Sequence, residues 1–238
     1  EETKGTVQTE ETPVDTSELQ TFRDAISGAE SINGAYGSLL PEQLLSLGIA
    51  LQKESRHTEA VAVFKRGSHL ARINNGLYSN VQIPYIQHKI TSHIALGQFT
   101  EADEAQGRLF RVQRRKQTNT EIDIEVLLQQ ARWQHQAYTL GVGGKETSFN
   151  RLLAMWDLNR LALTNVIDRK GETSPDLLPP LYGMLRAQYL ISVNNDRGIS
   201  QAVDPEFGPG KAQRRFIKLL DKSYDLGRSI IYTIYNIQ

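Results

Sequence analysis

From about residue 38 onward, apolar side chains recur at intervals of three and four, the period of one helical face rather than of a strand. Leu44, Leu47 and Leu51 form one such stripe, and Ala60, Val63 and Phe64 form the next. The polar run Lys53-Glu54-Ser55-Arg56-His57 separates them. This predicts a helix, a tight turn and a second helix, each too amphipathic to stand alone. A second pair follows, with Tyr85, Ile86, Ile90 and Ile94, a turn at Leu96-Gly97-Gln98-Phe99, then Ala102, Ala105, Leu109 and Val112. Pro84 suits the first turn of that pair, where its missing N–H has no intrahelical partner to lose.

The third pair is looser. Ile124, Leu127, Leu128, Ala131 and Ala137 mark one helix, Gly141-Val142-Gly143-Gly144 ends it, and Leu152, Leu153, Trp156, Leu163 and Ile167 mark the next. Asn159 falls on that last stripe and needs a hydrogen-bond partner. The glycines do not form a phosphate cradle, because no strand precedes them and Lys145 is not followed by Ser or Thr. Left-handed positions at a helix end account for them. Residues 169–180 read as a connector into a helix from Leu181 to about Val193, and Asn194 to Gly210 as an extended loop. A last helix is expected from Lys211 to Tyr235, with Phe216, Leu219, Leu220, Leu226, Ile230 and Ile234 on its apolar stripe. Four antiparallel pairs about 40 residues apart, preceded by a short helix near Thr21 to Ala29, predict an all-α fold of the α-solenoid type.

Composition changes the picture at the ends. Residues 1–20 hold six acidic side chains against Lys4 and almost no large apolar ones, which reads as a flexible acidic leader before a single repeat domain over 21–238. The whole chain balances 27 basic against 27 acidic residues, so the body carries about +5 once the leader is set aside. Nothing global points to nucleic acid or an anionic membrane. There is no cysteine, which removes disulfides, thiolate nucleophiles and thiolate metal sites. No apolar run approaches the roughly 18 residues of a membrane helix. The absent start methionine and absent signal segment suggest a processed or trimmed chain.

The first pair resembles the tetratricopeptide repeat (TPR). Gly48 falls at the small position of the first helix, with Leu44, Leu47 and Leu51 at large apolar positions. Ala60 takes the small position of the second helix, followed by Phe64 and Gly67. Gly97, Phe99 and Ala102 match the repeat's turn and second-helix entry. Ile90 stands where Gly48 stood and Gln106 where Phe64 stood, and Ala60 to Ala102 spans 42 residues rather than about 34. The run Asn75-Gly76-Leu77-Tyr78-Ser79, with Gln82-Ile83-Pro84 and Glu101-Ala102-Asp103, is also similar to exported repeat proteins of gammaproteobacteria. That resemblance implies a periplasmic or cell-surface location in a Gram-negative bacterium and a TPR-like superhelix, with no known reaction.

Such a solenoid would bind along the concave face formed by the first helix of each pair. The candidates there are Glu42, Leu45, Ile49, Gln52 and Lys53, then Pro84, Gln87, Thr91, Ile94 and Ala95. This mixed polar and apolar set suits a peptide or protein partner. Arg108, Arg111 and Arg115 share a helical stripe and form a basic ridge, which complements the C-terminal end of a helix that holds Glu101, Asp103 and Glu104 just upstream, toward its N-terminus. His88 and His93 are five apart, about 140° around a helix, the wrong spacing for a metal pair. No metal, cofactor or catalytic constellation is expected. The reading is a non-enzymatic interaction scaffold of the cell envelope. One rival is a small-molecule or polysaccharide-binding helical domain, with hydrolytic capacity as an extension, using Trp133, Trp156 and neighbouring tyrosines. Another is a structural subunit bridging an envelope complex through residues 211–238, where the C-terminal helix leaves homodimerisation open.

Overall fold

Residues 16–115, 122–198, 203–204 and 208–209 are described by the structure, a computed structural model. The chain packs as two compact units, residues 1–96 and 97–238. In the first, α1 (Thr16–Asn33) precedes α2 (Leu40–Lys53), α3 (His57–Asn75), a 3-10 turn at Asn80–Gln82 and α4 (Ile83–Ala95). α1 starts earlier than the expected Thr21 because Leu19 and Ile26, two turns apart, are both buried. Its stripe therefore begins inside the expected leader, whose residues 1–15 lie outside the described ones.

Packing in this unit follows the small residues. A Cβ added at Gly48 would lie 2.6 Å from Phe64 Cζ, and one at Gly67 would lie 2.7 Å from Tyr85 Cδ1. Each glycine therefore seats an aromatic ring from the next helix, which carries the core from α2 through α3 to α4. Leu40, Leu44, Leu51, Leu70 and the Phe64 ring complete that core.

The turn between α2 and α3 has a specific backbone cause. Arg56 N–H donates to Leu51 O at 2.9 Å and Ser55 N–H to Gln52 O at 3.0 Å, the paired bonds of a Schellman cap. Ser55 sits at φ 57°, the left-handed position that glycine normally fills. Ser55→Gly is expected to raise stability by about 0.5–1 kcal/mol, because relief of the left-handed penalty exceeds the added unfolded-state entropy. A rise in the urea midpoint at unchanged slope would show it.

The second unit contains α5 (Phe99–Arg114), α6 (Ile124–Thr139), α7 (Gly144–Lys170), a 3-10 turn at Pro175–Leu177 and α8 (Leu178–Gly198). Two-residue strands β1 (Val203–Asp204) and β2 (Gly208–Pro209) then pair antiparallel. α6, α7 and α8 pack in succession over Leu152, Trp156, Val166, Leu181, Met184 and Ile191. The glycine run ends α6 as expected. Gly141, Gly143 and Gly144 all have positive φ, and Val142 N–H closes the cap onto Ala137 O at 2.9 Å.

α8 differs from the sequence expectation at both ends, and α7 in one position of its stripe. α8 starts at Leu178 rather than Leu181, because Ser174 caps the preceding 3-10 turn and Pro179 and Pro180 fall in the first helical turn, where proline is tolerated. It runs to Gly198 rather than ending at Val193, since Asn and Asp lower helix propensity without stopping a helix. Ile167 is exposed, and Val166 and Ala162 carry the buried stripe of α7 in its place. The expected last helix at 211–235 lies outside the described residues. Asn159, 3% exposed, finds its partner in Met155 O at 2.7 Å, and Gly183 of α8 leaves room for its amide.

Candidate functional site

α2 and α4 are neighbours in the first unit, so the first helices of two successive pairs lie side by side. Away from the core their surface carries exposed Glu42, Lys53, Gln87, Thr91 and Ala95, with Leu45, Ile49, Ile94 and Pro84 half-buried. Leu45 and Ile49 pack against the core rim. The sequence pattern therefore groups these side chains on two helices that do adjoin, with apolar residues low and polar ones high.

Gln52 has a different part in this face. Its Nε2 donates to His88 O and to Ser92 Oγ, both at 2.7 Å, and its Oε1 lies 2.8 Å from His88 Nδ1. A carbonyl can only accept, so the amide orientation is fixed and His88 carries its proton on Nδ1. The side chain thus clasps α2 to α4. Behind it the imidazole stacks on Phe64, with centroids 5.3 Å apart and planes at 18°.

Burial lowers the His88 pKa from its ordinary value. The folded state then holds a proton less readily than the unfolded chain, so stability is full above the unfolded value and declines as pH falls below it. Burial, with the Arg186 charge second, lowers His135 in the other unit in the same direction. The urea midpoint is therefore expected to fall between pH 7.5 and pH 5.5. His88→Asn should flatten part of that slope, and an unchanged slope would remove His88 as its source. Tyr85 nearby is pushed up to about 12, by burial first and the Glu42 charge second.

On α5, Arg111 and Arg114 lie in the last turn, Arg115 is the C-cap residue and Glu101 lies in the first turn. Arg111 and Arg115 are exposed, whereas Arg108 is half-buried. Lys116, the end of that basic run, lies outside the described residues.

The strongest polar cluster was not legible beforehand. Arg151 of α7 meets Asp103 of α5 through two bonds of 2.8 and 3.1 Å, and its Nε donates to Val142 O at 3.0 Å. Trp133 Nε1 donates to the same carboxylate at 2.7 Å. Burial alone would raise the Asp103 pKa, but the bonds from Arg151 and Trp133 and the Arg151 charge outweigh it and lower it. Every strong donor here is satisfied within the protein, so the cluster buckles three helices together. The one advance signal was the indole N–H of Trp133, which needs a partner once buried.

Trp133 and Trp156 are each 6% exposed. Neither tryptophan offers a solvent-facing ring for stacking on a sugar. His93 is buried on α4. Among the described residues no group of three or more His, Asp or Glu is placed to hold a metal ion, and no helix is long and apolar enough to cross a membrane. A further surface emerges only in three dimensions. Asn74 Nδ2 donates to Tyr36 O at 3.4 Å, joining the α1–α2 loop to the end of α3, and Tyr36, Leu39, Ile73 and Leu77 are exposed along these segments.

The sequence matches no protein-family model and no curated protein. Among solved structures, a Podosopora anserina kinesin light chain candidate with nearly identical TPR-like repeats is similar at TM-score 0.54 and 11% identity, over 88% of this chain and 85% of that chain. A point variant of that protein gives TM-score 0.53 at 11% identity, over 87% and 84%. At such identity the likeness defines the fold, which is that of an all-α, TPR-like helical repeat protein.

Proposed function

We propose that the chain is a non-enzymatic scaffold that holds a protein or peptide along the α2–α4 face. The observation that carries this reading is the adjacency of the two helices, which sets exposed Gln87 and Thr91 beside a row of half-buried Leu45, Ile49 and Ile94. Such a face offers apolar seats with polar selection above them, the arrangement by which helical grooves read extended or helical segments. The TPR-like fold supports the same class of partner, since proteins of this fold generally mediate protein–protein interaction.

The test is quantitative crosslinking in envelope extracts with the wild type and with Gln87→Arg/Thr91→Arg, two exposed positions that leave the Gln52 clasp intact. Capture of the same partner should fall at least tenfold at unchanged helical content, while Arg111→Glu, on α5 of the other unit, leaves it unchanged. Undiminished capture by the double variant would move the site off this face. The envelope location is part of the proposal and is supported by the resemblance of the Asn75–Ser79 region to exported repeat proteins. Recovery of the native protein with the periplasmic or surface fraction is the expected result, and recovery with the cytoplasm would overturn it.

A further inference from the structure

The backbone turn that joins α1 to α2 recurs between α3 and α4 and between α7 and α8. Gly34, Gly76 and Gly171 open it at φ of 71°, 93° and 86°, and the N–H of each closes the preceding helix onto the carbonyl four residues back. Three residues on, Gly37, Ser79 and Ser174 donate to those glycine carbonyls, and after three more Leu40, Gln82 and Leu177 donate to theirs. Pro41, Pro84 and Pro179 then fall in the first turn of the next helix.

The side chains on these turns differ between the two units. Between α7 and α8 the second, third and sixth positions are Glu172, Thr173 and Asp176, all exposed, and Asp176 pairs with Lys170. In the first unit the same positions include Tyr36, Leu39, Leu77 and Val81, between 45% and 63% exposed. The turn itself therefore requires no apolar side chain there. Ile32 and Ile73, 81% and 50% exposed, extend the patch along the ends of α1 and α3. Its parts are tied together, since Arg66 pairs with Glu30, Asn74 Nδ2 donates to Tyr36 O, and Gln82 Nε2 donates to the Gly76 and Leu77 carbonyls.

We propose that this patch is the contact between two copies of the chain, packed about a two-fold axis. Two observations select a second copy as the occupant. The first is charge. Residues 31–41 and 73–87 contain no charged side chain, in a protein that is 23% charged. Interface cores exclude charge, and an uncharged patch faces its own copy without repulsion. The second is area. The six side chains leave on the order of 700 Å² exposed, so two copies meeting through them bury about 1,400 Å², within the roughly 1,200–2,000 Å² of stable interfaces. This contact lies beyond the proposed α2–α4 binding face and does not depend on it.

Sedimentation equilibrium of the full chain should give the mass of two copies, with a Kd in the micromolar range or tighter. Tyr36→Glu/Leu77→Glu, at two exposed side chains, should raise that Kd by about 100-fold or more at unchanged helical content, because like charges then meet across the axis. Tyr36→Lys/Leu77→Lys should do the same. An equimolar mixture of the two variants should form dimers with one chain of each, which requires the same surface on both chains. Tyr182→Glu/Tyr189→Glu, on exposed tyrosines of α8, should leave the dimer intact. A wild type that stays monomeric up to about 100 μM would overturn the proposal. So would dimers that survive both charged variants of the patch, or a mixture of the two that fails to pair.

Discussion

Asp103→Ala is expected to lower the stability of the second unit by roughly 2–3 kcal/mol, the largest effect of any single polar substitution among those considered. The Arg151 side chain is 12% exposed and the Asp103 side chain 29%. Removing the carboxylate therefore strands a guanidinium with little water to replace its two bonds, and strands the Trp133 indole as well. Arg151→Met should cost less than Asp103→Ala, because it leaves a carboxylate that still accepts from Trp133 and reaches water. In the double variant Asp103→Ala/Arg151→Met the effects should fall short of additivity by about 1 kcal/mol or more, the signature of a shared interaction. Additive losses in urea unfolding would show that the two side chains act separately. The pH dependence supplies a second check. The folded Asp103 pKa is depressed, so its contribution is present above the unfolded value and is lost as pH falls through the folded one. Acid unfolding of Asp103→Ala should begin from a lower plateau and show a shallower acid limb than the wild type.

This cluster also marks where sequence reasoning stopped. The helices were legible because burial is periodic. Leu44, Leu51, Phe64, Ala102, Leu109, Leu127 and Leu152 all lie in the cores that their spacing implied. The repeat register was legible because it rests on size, with Gly48 and Gly67 each opposite an aromatic ring. Asp103 and Arg151 are 48 residues apart, and Asp103 follows Glu101 near the start of α5, where an acid has an adequate local explanation of its own. Gln52 is a related case, since its bonds to His88 and Ser92 span 36 and 40 residues. A half-buried glutamine on that line of the helix can face a partner or the neighbouring helix, and only the approach of α4 decides. Gln106 shows the same effect in reverse. It replaces the aromatic residue of the previous pair, yet it is buried, and Gln130 of α6 accepts from its amide at 3.2 Å. A polar residue at a core position is thus matched by a second polar residue one helix on, a pairing no single-helix pattern contains.

The other large effect is expected at the Gly48–Phe64 seat, where packing on both sides of one ring can be varied separately. Phe64 is fully buried, with the α2 backbone at Gly48 over its Cε1 and the His88 imidazole stacked on the ring. Phe64→Ala should cost about 3–5 kcal/mol through lost burial and the cavity left behind. Gly48→Ala brings a methyl group into a space the ring already fills. Its gain of about 1 kcal/mol in helix propensity should be exceeded by the strain, for a net loss of about 1–2 kcal/mol. The ring cannot retreat from the new methyl without pressing on His88, which Gln52 holds in place. Pairing Gly48→Ala with the smaller Phe64→Leu should therefore cost less than the sum of the two single losses, by about 1 kcal/mol. A simple sum in the denaturation cycle would mean that the glycine is there for the helix and not for the ring. Phe64→Ala also opens the histidine to water. With the desolvation that lowers its pKa relieved, the His88 imidazole should titrate closer to its ordinary value, a shift that proton NMR reads directly and that a loss of stability alone would not produce.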